Sequence, residues 1–173
     1  MPNIILIGMP SCGKSTVGIL LAKNLGFEFI DSDLLIQKKT GKLLHQTISE
    51  SGINRFLEIE NEVNASIVAE NTVISTGGSA VFCKEAMEHL SSIGVVVYLK
   101  ISFETLSERL GDYVHRGVIV RSGYTLKDMY EERSVLYEKY ADVVIDESAC
   151  GSSLSATVEN TLLACKKNLG IDN

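Results

Sequence analysis

The run Gly8-Met9-Pro10-Ser11-Cys12-Gly13-Lys14-Ser15 constrains this chain more than any other stretch. It matches the pattern GxxxxGK[ST] and lies between an apolar run, Ile4 to Ile7, and a helical pattern from Lys14 to Leu25. A buried strand that passes through such a loop into a helix makes successive amide N–H groups and the helix N-terminus converge on one anion. Gly8 and Gly13 permit torsions that a side chain hinders. Lys14 is placed to reach the outer phosphates of a nucleoside triphosphate, ATP by default, and the Ser15 hydroxyl to ligate Mg²⁺. Ser11, Cys12 and Thr16 complete the expected nucleotide-binding loop. A helix N-terminus and a neighbouring lysine favour a reactive thiol at Cys12, but a small residue tolerated by the loop is the simpler reading.

Further strand patterns follow at Phe27–Ile30, Thr72–Ser75, Val95–Leu99 and Val143–Ile145. Helical patterns occupy Leu34 to about Glu70 with one break near Ser51-Gly52, then Phe103–Leu110, Thr125–Tyr140 and Ser153–Asn168. Residues 111–124 carry glycines and arginines without a firm period, so a mobile lid is expected there. Alternating strands and helices predict an α/β fold of three layers, αβα, around a five-stranded parallel sheet. No shift in composition marks a boundary, so residues 1–173 are expected to form a single domain.

With 173 residues, 45% of them hydrophobic and 22% charged, the chain has the make-up of an ordinary globular protein. A net charge of −6 argues against a broad nucleic-acid footprint. No apolar run approaches a membrane span. Four cysteines (Cys12, Cys83, Cys150, Cys165) form no CxxC pair, and the opening Met1-Pro2-Asn3 leads straight into a strand without a signal peptide, so a cytoplasmic setting is expected. The expected partner is a small molecule, with no nucleic acid and no membrane, and the expected state is a monomer.

The ordered set of motifs resembles the shikimate kinase family, among the small kinases of the nucleoside monophosphate kinase-like type. The set comprises the Gly-Lys-Ser-Thr loop, Phe29-Ile30-Asp31-Ser32-Asp33 closing the second strand, and Thr76-Gly77-Gly78 after the third. Val97-Tyr98-Leu99, an arginine-bearing lid, and Glu132-Arg133 followed by Leu136-Tyr137 complete it, so the resemblance spans nearly the whole chain. It implies ATP- and Mg²⁺-dependent phosphorylation of a hydroxyl on a small carboxylic acid, shikimate to shikimate 3-phosphate, in aromatic amino acid biosynthesis. In that family's terms Asp31 acts near the metal, and Asp33 binds the acceptor hydroxyl and serves as its base or orienter. Gly77 and Gly78 admit the substrate, Arg133 holds its carboxylate, Arg116 closes over the phosphates, and Arg109 stacks on adenine. The acceptor-binding helices fall at about 34–70. With Ser32 between them, Asp31 and Asp33 are expected to point the same way from an extended backbone.

Three positions depart from the family pattern. Leu57 stands where an arginine usually follows the phenylalanine, Ser79 replaces the third glycine of the turn, and Gly117 follows Arg116 in place of a proline. Arg55 falls on the other side of the helix and is a poor substitute. Loss of one guanidinium from a carboxylate clamp removes a contact worth roughly 1.5–3 kcal/mol. Glu60, one turn after Leu57, is the carboxylate that pairs with the missing arginine in the family. It is therefore expected either to meet another cation or hydroxyl pair of the acceptor, such as an amino-hydroxy acid, or to face water or a lysine. Arg121 has no evident partner and reads as a solvent-facing lid charge. Other readings of the chain remain open: a kinase for gluconate or a nucleoside monophosphate, or a nucleotide-sensing module without catalysis.

Overall fold

The computed structural model describes residues 2–111, 118–149 and 153–170. Arg116, Gly117 and Cys150 lie outside the described residues. Five strands, β1 (Asn3–Ile7), β2 (Glu28–Asp31), β3 (Thr72–Ser75), β4 (Gly94–Lys100) and β5 (Val143–Asp146), form one sheet in the order β2-β3-β1-β4-β5. Every neighbouring pair is parallel. Parallel strands need crossovers, and among the described residues these run through α1 (Lys14–Leu25), α2 (Ser32–Thr40), α3 (Leu44–Ala65), α4 (Lys84–Ile93), α5 (Phe103–Leu110) and α6 (Leu126–Tyr140), while α7 (Leu154–Leu169) follows β5. A strand covered on both faces reads as an unbroken apolar run, and Ile4, Ile5, Leu6 and Ile7 of the central β1 are all fully buried. Asn3 knits the opposite end of the sheet. Its side-chain amide donates to the carbonyls of Ala69 (2.7 Å) and Ile93 (3.0 Å), while its oxygen accepts from Thr72 N–H at 3.1 Å.

The expected α/β sheet is present, with its C-terminal edge carrying the loops after β1, β2 and β3. In parallel sheets of this kind ligands bind outside that edge. The helical region 34–70 differs from expectation in two ways. Gly41, at φ 68°, ends α2 with its amide bonded to Gln37, and α3 stops at Ala65, leaving 66–71 irregular. The expected break at Ser51-Gly52 is present, since Gly52 has φ 81° and ψ 164° inside α3. A small second apolar cluster of Ile36, Phe56, Ile59, Val63 and Ile119 binds α2, α3 and the 118–120 segment together beside the main core.

Helix α4 has no counterpart in the sequence reading. Its buried face of Ala86, Met87 and Leu90 has helical spacing. Its start carries no side-chain cap at Cys83, and its end runs into β4 at Gly94. The usual start and stop signals are therefore missing.

Candidate active site

The loop after β1 is shaped by its backbone. Gly8 sits at φ 147°, and a Cβ there would lie 2.7 Å from the Leu99 carbonyl oxygen and 2.9 Å from Cys12 Sγ. Only glycine lets the chain pass that close to β4. Ser11 (φ 62°) and Gly13 (φ 94°) also take positive φ, bending the loop into the concave form that gathers amide groups. Asp or Ser/Thr side chains cap α2, α5, α6 and α7, whereas α1, like α3 and α4, begins with no side-chain cap, here at Gly13. The amides of its first turn therefore need an outside acceptor, as an anion site requires.

Lys14 is only 7% exposed, and its Nζ donates to the carbonyls of Gly8 and Met9, both at 2.8 Å. Cys12 is buried under the loop with its Sγ 3.7 Å from that ammonium. The thiol fills space rather than facing a ligand.

Ser15 Oγ donates to Asp31 Oδ2 at 2.7 Å and lies 3.3 Å from Ser75 Oγ. A hydroxyl and a carboxylate already in register at the loop's end fit a hard cation that takes oxygen ligands and keeps waters. Asp31 and Asp33 do not project from one extended strand. Asp31 is the N-cap of α2, its Oδ1 accepting from Asp33 N–H at 3.0 Å, and Asp33 lies in the first helical turn. The cap divides the two carboxylates, leaving Asp31 with Ser15 and turning Asp33 into a cavity.

That cavity holds about 300 Å³. One wall is the phosphate loop, with Ser11, Gly13, Lys14, Ser15 and Thr16; the other carries Asp33, Glu60, Gly77, Gly78 and Arg133. Gly77 is required by proximity, because a Cβ on it would collide with Glu60 Oε1 and lie 2.9 Å from Asp33 Oδ1. Burial, together with the charge of Asp31 and against the pull of Lys14, lifts the Asp33 carboxyl to about 6. Burial lifts Glu60 further, to about 7, although a hydrogen bond from Ser79 pulls the other way.

Glu60 is fully buried and faces neither water nor a lysine. Its Oε2 accepts from Ser79 Oγ at 2.6 Å, and its Oε1 has no partner. Arg133 is likewise buried, at 1% exposure, and is not on a solvated helix face. Its Nη2 donates to the Ile119 carbonyl at 2.5 Å, its Nε has no partner, and its guanidinium lies 5.5 Å from the centre of the Phe82 ring. One turn further along α6, Tyr137 Oη donates to the Gly78 carbonyl at 2.6 Å.

Four expected site residues do not line the cavity. Gly8 and Cys12 shape the loop from behind, Asp31 reaches the site through Ser15, and Arg109 is held in a bidentate ion pair by Glu147. Arg55 faces solvent and pairs with Glu58 at 2.7 Å, while Leu57 packs against the second apolar cluster. Arg121 is exposed, as expected, but it has a partner: it pairs with Glu132 at 2.7 Å and lies over the rings of Phe82 and Tyr124. The sequence reading missed Leu44, Phe56, Thr76, Val118 and Ile119 in the lining. Phe56 alone had a usable signal, one helical turn before Glu60 on the same face.

A buried strand, an uncapped helix and a recessed lysine on one side of a cavity, opposite a carboxylate and a guanidinium, define a P-loop phosphotransferase for a small acceptor. The shikimate kinase family model matches residues 10–163, and the chain belongs to the shikimate kinase family. It is 40% identical over 162 residues to a shikimate kinase of Francisella tularensis subsp. novicida, covering 91% of this chain and 89% of the relative. It is 39% identical over 149 residues to that of Thermodesulfovibrio yellowstonii, covering 84% and 86%. The structure of Acinetobacter baumannii shikimate kinase in complex with shikimate superposes with a TM-score of 0.83 at 30% identity, covering 98% of this chain and 94% of that one. Membership makes this chain a nucleotide-using small-molecule kinase of the nucleoside monophosphate kinase-like fold. Among the described residues, no helix is long and apolar enough to cross a membrane.

Proposed function

We propose that this protein transfers the γ-phosphoryl group of ATP to a hydroxyl of shikimate, giving shikimate 3-phosphate, as a single-domain cytoplasmic monomer. The observation that carries this reading is the shared cavity, which is lined by Lys14 of the phosphate loop together with Asp33, Glu60 and Arg133. Phosphoryl transfer is catalysed chiefly by positioning and charge neutralisation. The amides of the loop and Lys14 hold the triphosphate tail. Ser15 and Asp31 would hold Mg²⁺, which supplies neutralisation of the outer phosphates when bound. Arg133 takes the acceptor carboxylate through donors that a planar guanidinium presents in parallel. Asp33 aims the acceptor hydroxyl and receives its proton at a carboxylate oxygen; with its carboxyl at about 6 it is mostly ionised at neutral pH. Glu60 Oε1 accepts from a further hydroxyl. Arg109 on the nucleotide side and Arg116 over the phosphates are assigned by the family resemblance.

The test is ADP release with shikimate, gluconate, a nucleoside monophosphate and an amino-hydroxy acid as acceptors, in the wild type and in Lys14→Met and Asp33→Asn. Shikimate-dependent release that nearly vanishes in both variants, with folded circular dichroism spectra, is the expected result. Slow release independent of any acceptor points to a nucleotide-sensing module. The unpartnered Glu60 oxygen gives the amino-hydroxy acid its place in the panel, and a preference for it over shikimate reassigns the acceptor.

A further inference from the structure

The charges on the acceptor side do not balance with Arg133 alone. Once Lys14 is committed to phosphate, the cavity keeps two carboxyl groups, Asp33 and Glu60, and one guanidinium, Arg133. A carboxylic acid acceptor brings a further negative charge into a buried site, where an uncompensated charge is costly.

A second guanidinium stands next door. A small adjoining cavity, walled in part by Ile119 and Arg133, holds Arg121 together with Leu57 and Phe82. Ile119 and Arg133 also wall the main cavity. Residues 118–121 run without helix, and Arg121, two places after Ile119, lines the same small cavity as Ile119 and Arg133. The Arg121 guanidinium lies 5.1 Å and that of Arg133 5.5 Å from the centre of the same Phe82 ring. Arg121 is held by Glu132 in an ion pair whose side chains are 48% and 30% exposed. Pairs this open are weak and exchange readily for a better anion.

We infer that Arg121 is a specificity-determining residue, supplying a second guanidinium that leaves Glu132 and clamps the acceptor carboxylate with Arg133 around Phe82. The inference rests on the carboxylic acid acceptor proposed above. It gives the position of Arg121 beside Leu57 a use: an arginine from the 118–121 segment does there what the short apolar side chain on α3 does not.

The experiment compares steady-state kinetics of the wild type, Arg121→Leu and Glu132→Gln with ATP and shikimate. Arg121→Leu raises the KM for shikimate about tenfold or more, the equivalent of one lost charge-assisted contact. It leaves the KM for ATP in place and changes kcat less than KM. Glu132→Gln frees the guanidinium and keeps or lowers the KM for shikimate. If Arg121 served only to pin the 118–125 segment through Glu132, the two variants would behave alike; that result, or an unchanged shikimate KM in Arg121→Leu, overturns the inference. A wild type that shows no shikimate-dependent ADP release overturns the acceptor reading and this inference with it, whereas an active wild type matched by Arg121→Leu defeats the inference alone.

Discussion

The Ser79 hydroxyl donates a 2.6 Å hydrogen bond to Glu60 Oε2, joining the turn after β3 to the middle of α3 inside the acceptor wall. By resemblance to the family, Ser79 takes the place of a glycine, and Leu57 that of the arginine expected to pair with this carboxylate. The two departures are therefore complementary: a hydroxyl from the turn takes over part of the partner's work from the helix. Burial raises the Glu60 carboxyl, and the neutral Ser79 donor brings it down less than a cation would.

That raised value has a stability consequence with a definite sign. The Glu60 carboxyl moves from 4.5 to about 7 on folding, so between those limits the folded state holds a proton that the unfolded state releases. Stability from this group is complete below the lower limit and declines as pH rises through the window, by on the order of 3 kcal/mol as an upper bound. Glu60→Gln is expected to raise the melting temperature at about pH 8 and to leave it unchanged, or lower it slightly, at about pH 4. Thermal melts of the two proteins across that range provide the check.

Asp33 titrates at a lower pH than Glu60, at about 6. As the group that receives the acceptor proton, it must be ionised to act. The acceptor kcat/KM is therefore expected to rise with pH through an acidic limb centred near that value. Burial is the larger cause of the shift and the negative charge of Asp31 the next. In the metal-free protein Asp31→Asn should accordingly lower the pH at which Asp33 titrates, read by carboxyl NMR; an unchanged value in this variant removes the assigned role of Asp31 in setting it.

Ser15 and Asp31 together form the expected cation site. Ser15→Ala removes one of its two oxygen-bearing side chains while leaving the Asp31 cap on Asp33 N–H intact. The Mg²⁺ concentration for half-maximal rate is expected to rise about tenfold, the worth of one contact to a charged group. Magnesium titrations at saturating nucleotide and acceptor measure it, and an unchanged midpoint contradicts the assignment.

Gly77→Ala places a methyl group against Glu60 Oε1 and within 2.9 Å of Asp33 Oδ1. Both carboxylates must shift. The KM for the acceptor should rise about tenfold with a loss in kcat, because small displacements at a reacting group are heavily penalised. The KM for ATP should hold, since Gly77 touches only the acceptor side, and kinetics with each substrate varied in turn separate the two effects.

Much of this site was legible in the chain because its chemistry depends on local patterns. The phosphate loop needs only eight consecutive residues and a strand before them, and the paired carboxylates sit two residues apart. The resemblance supplied the roles of Asp31 and Asp33, but the geometry that separates them was not legible, since it depends on α2 beginning at Ser32 and not a residue or two later. The burial of Arg133 was equally hidden. An arginine among glutamates on α6 reads as a surface residue until Ile119 and Phe82, distant in sequence, close over it. Helix α4 was missed because its ends carry no capping signal, although its inward face was present at Ala86, Met87 and Leu90. Long-range neighbours decide such features, and periodicity does not report them.

The Tyr137 hydroxyl bonds to the Gly78 carbonyl, and Arg133 lies one turn away on the same helix. Because Tyr137 is fully buried and its ring stacks on Tyr98 of β4 at 5.0 Å, that bond rivets α6 and the β3 turn to the sheet itself. The acceptor wall is thus a fixed anvil. Whatever tightening accompanies substrate loading leaves this wall where it is, so the carboxylate anchor keeps its place while the enclosure changes around it.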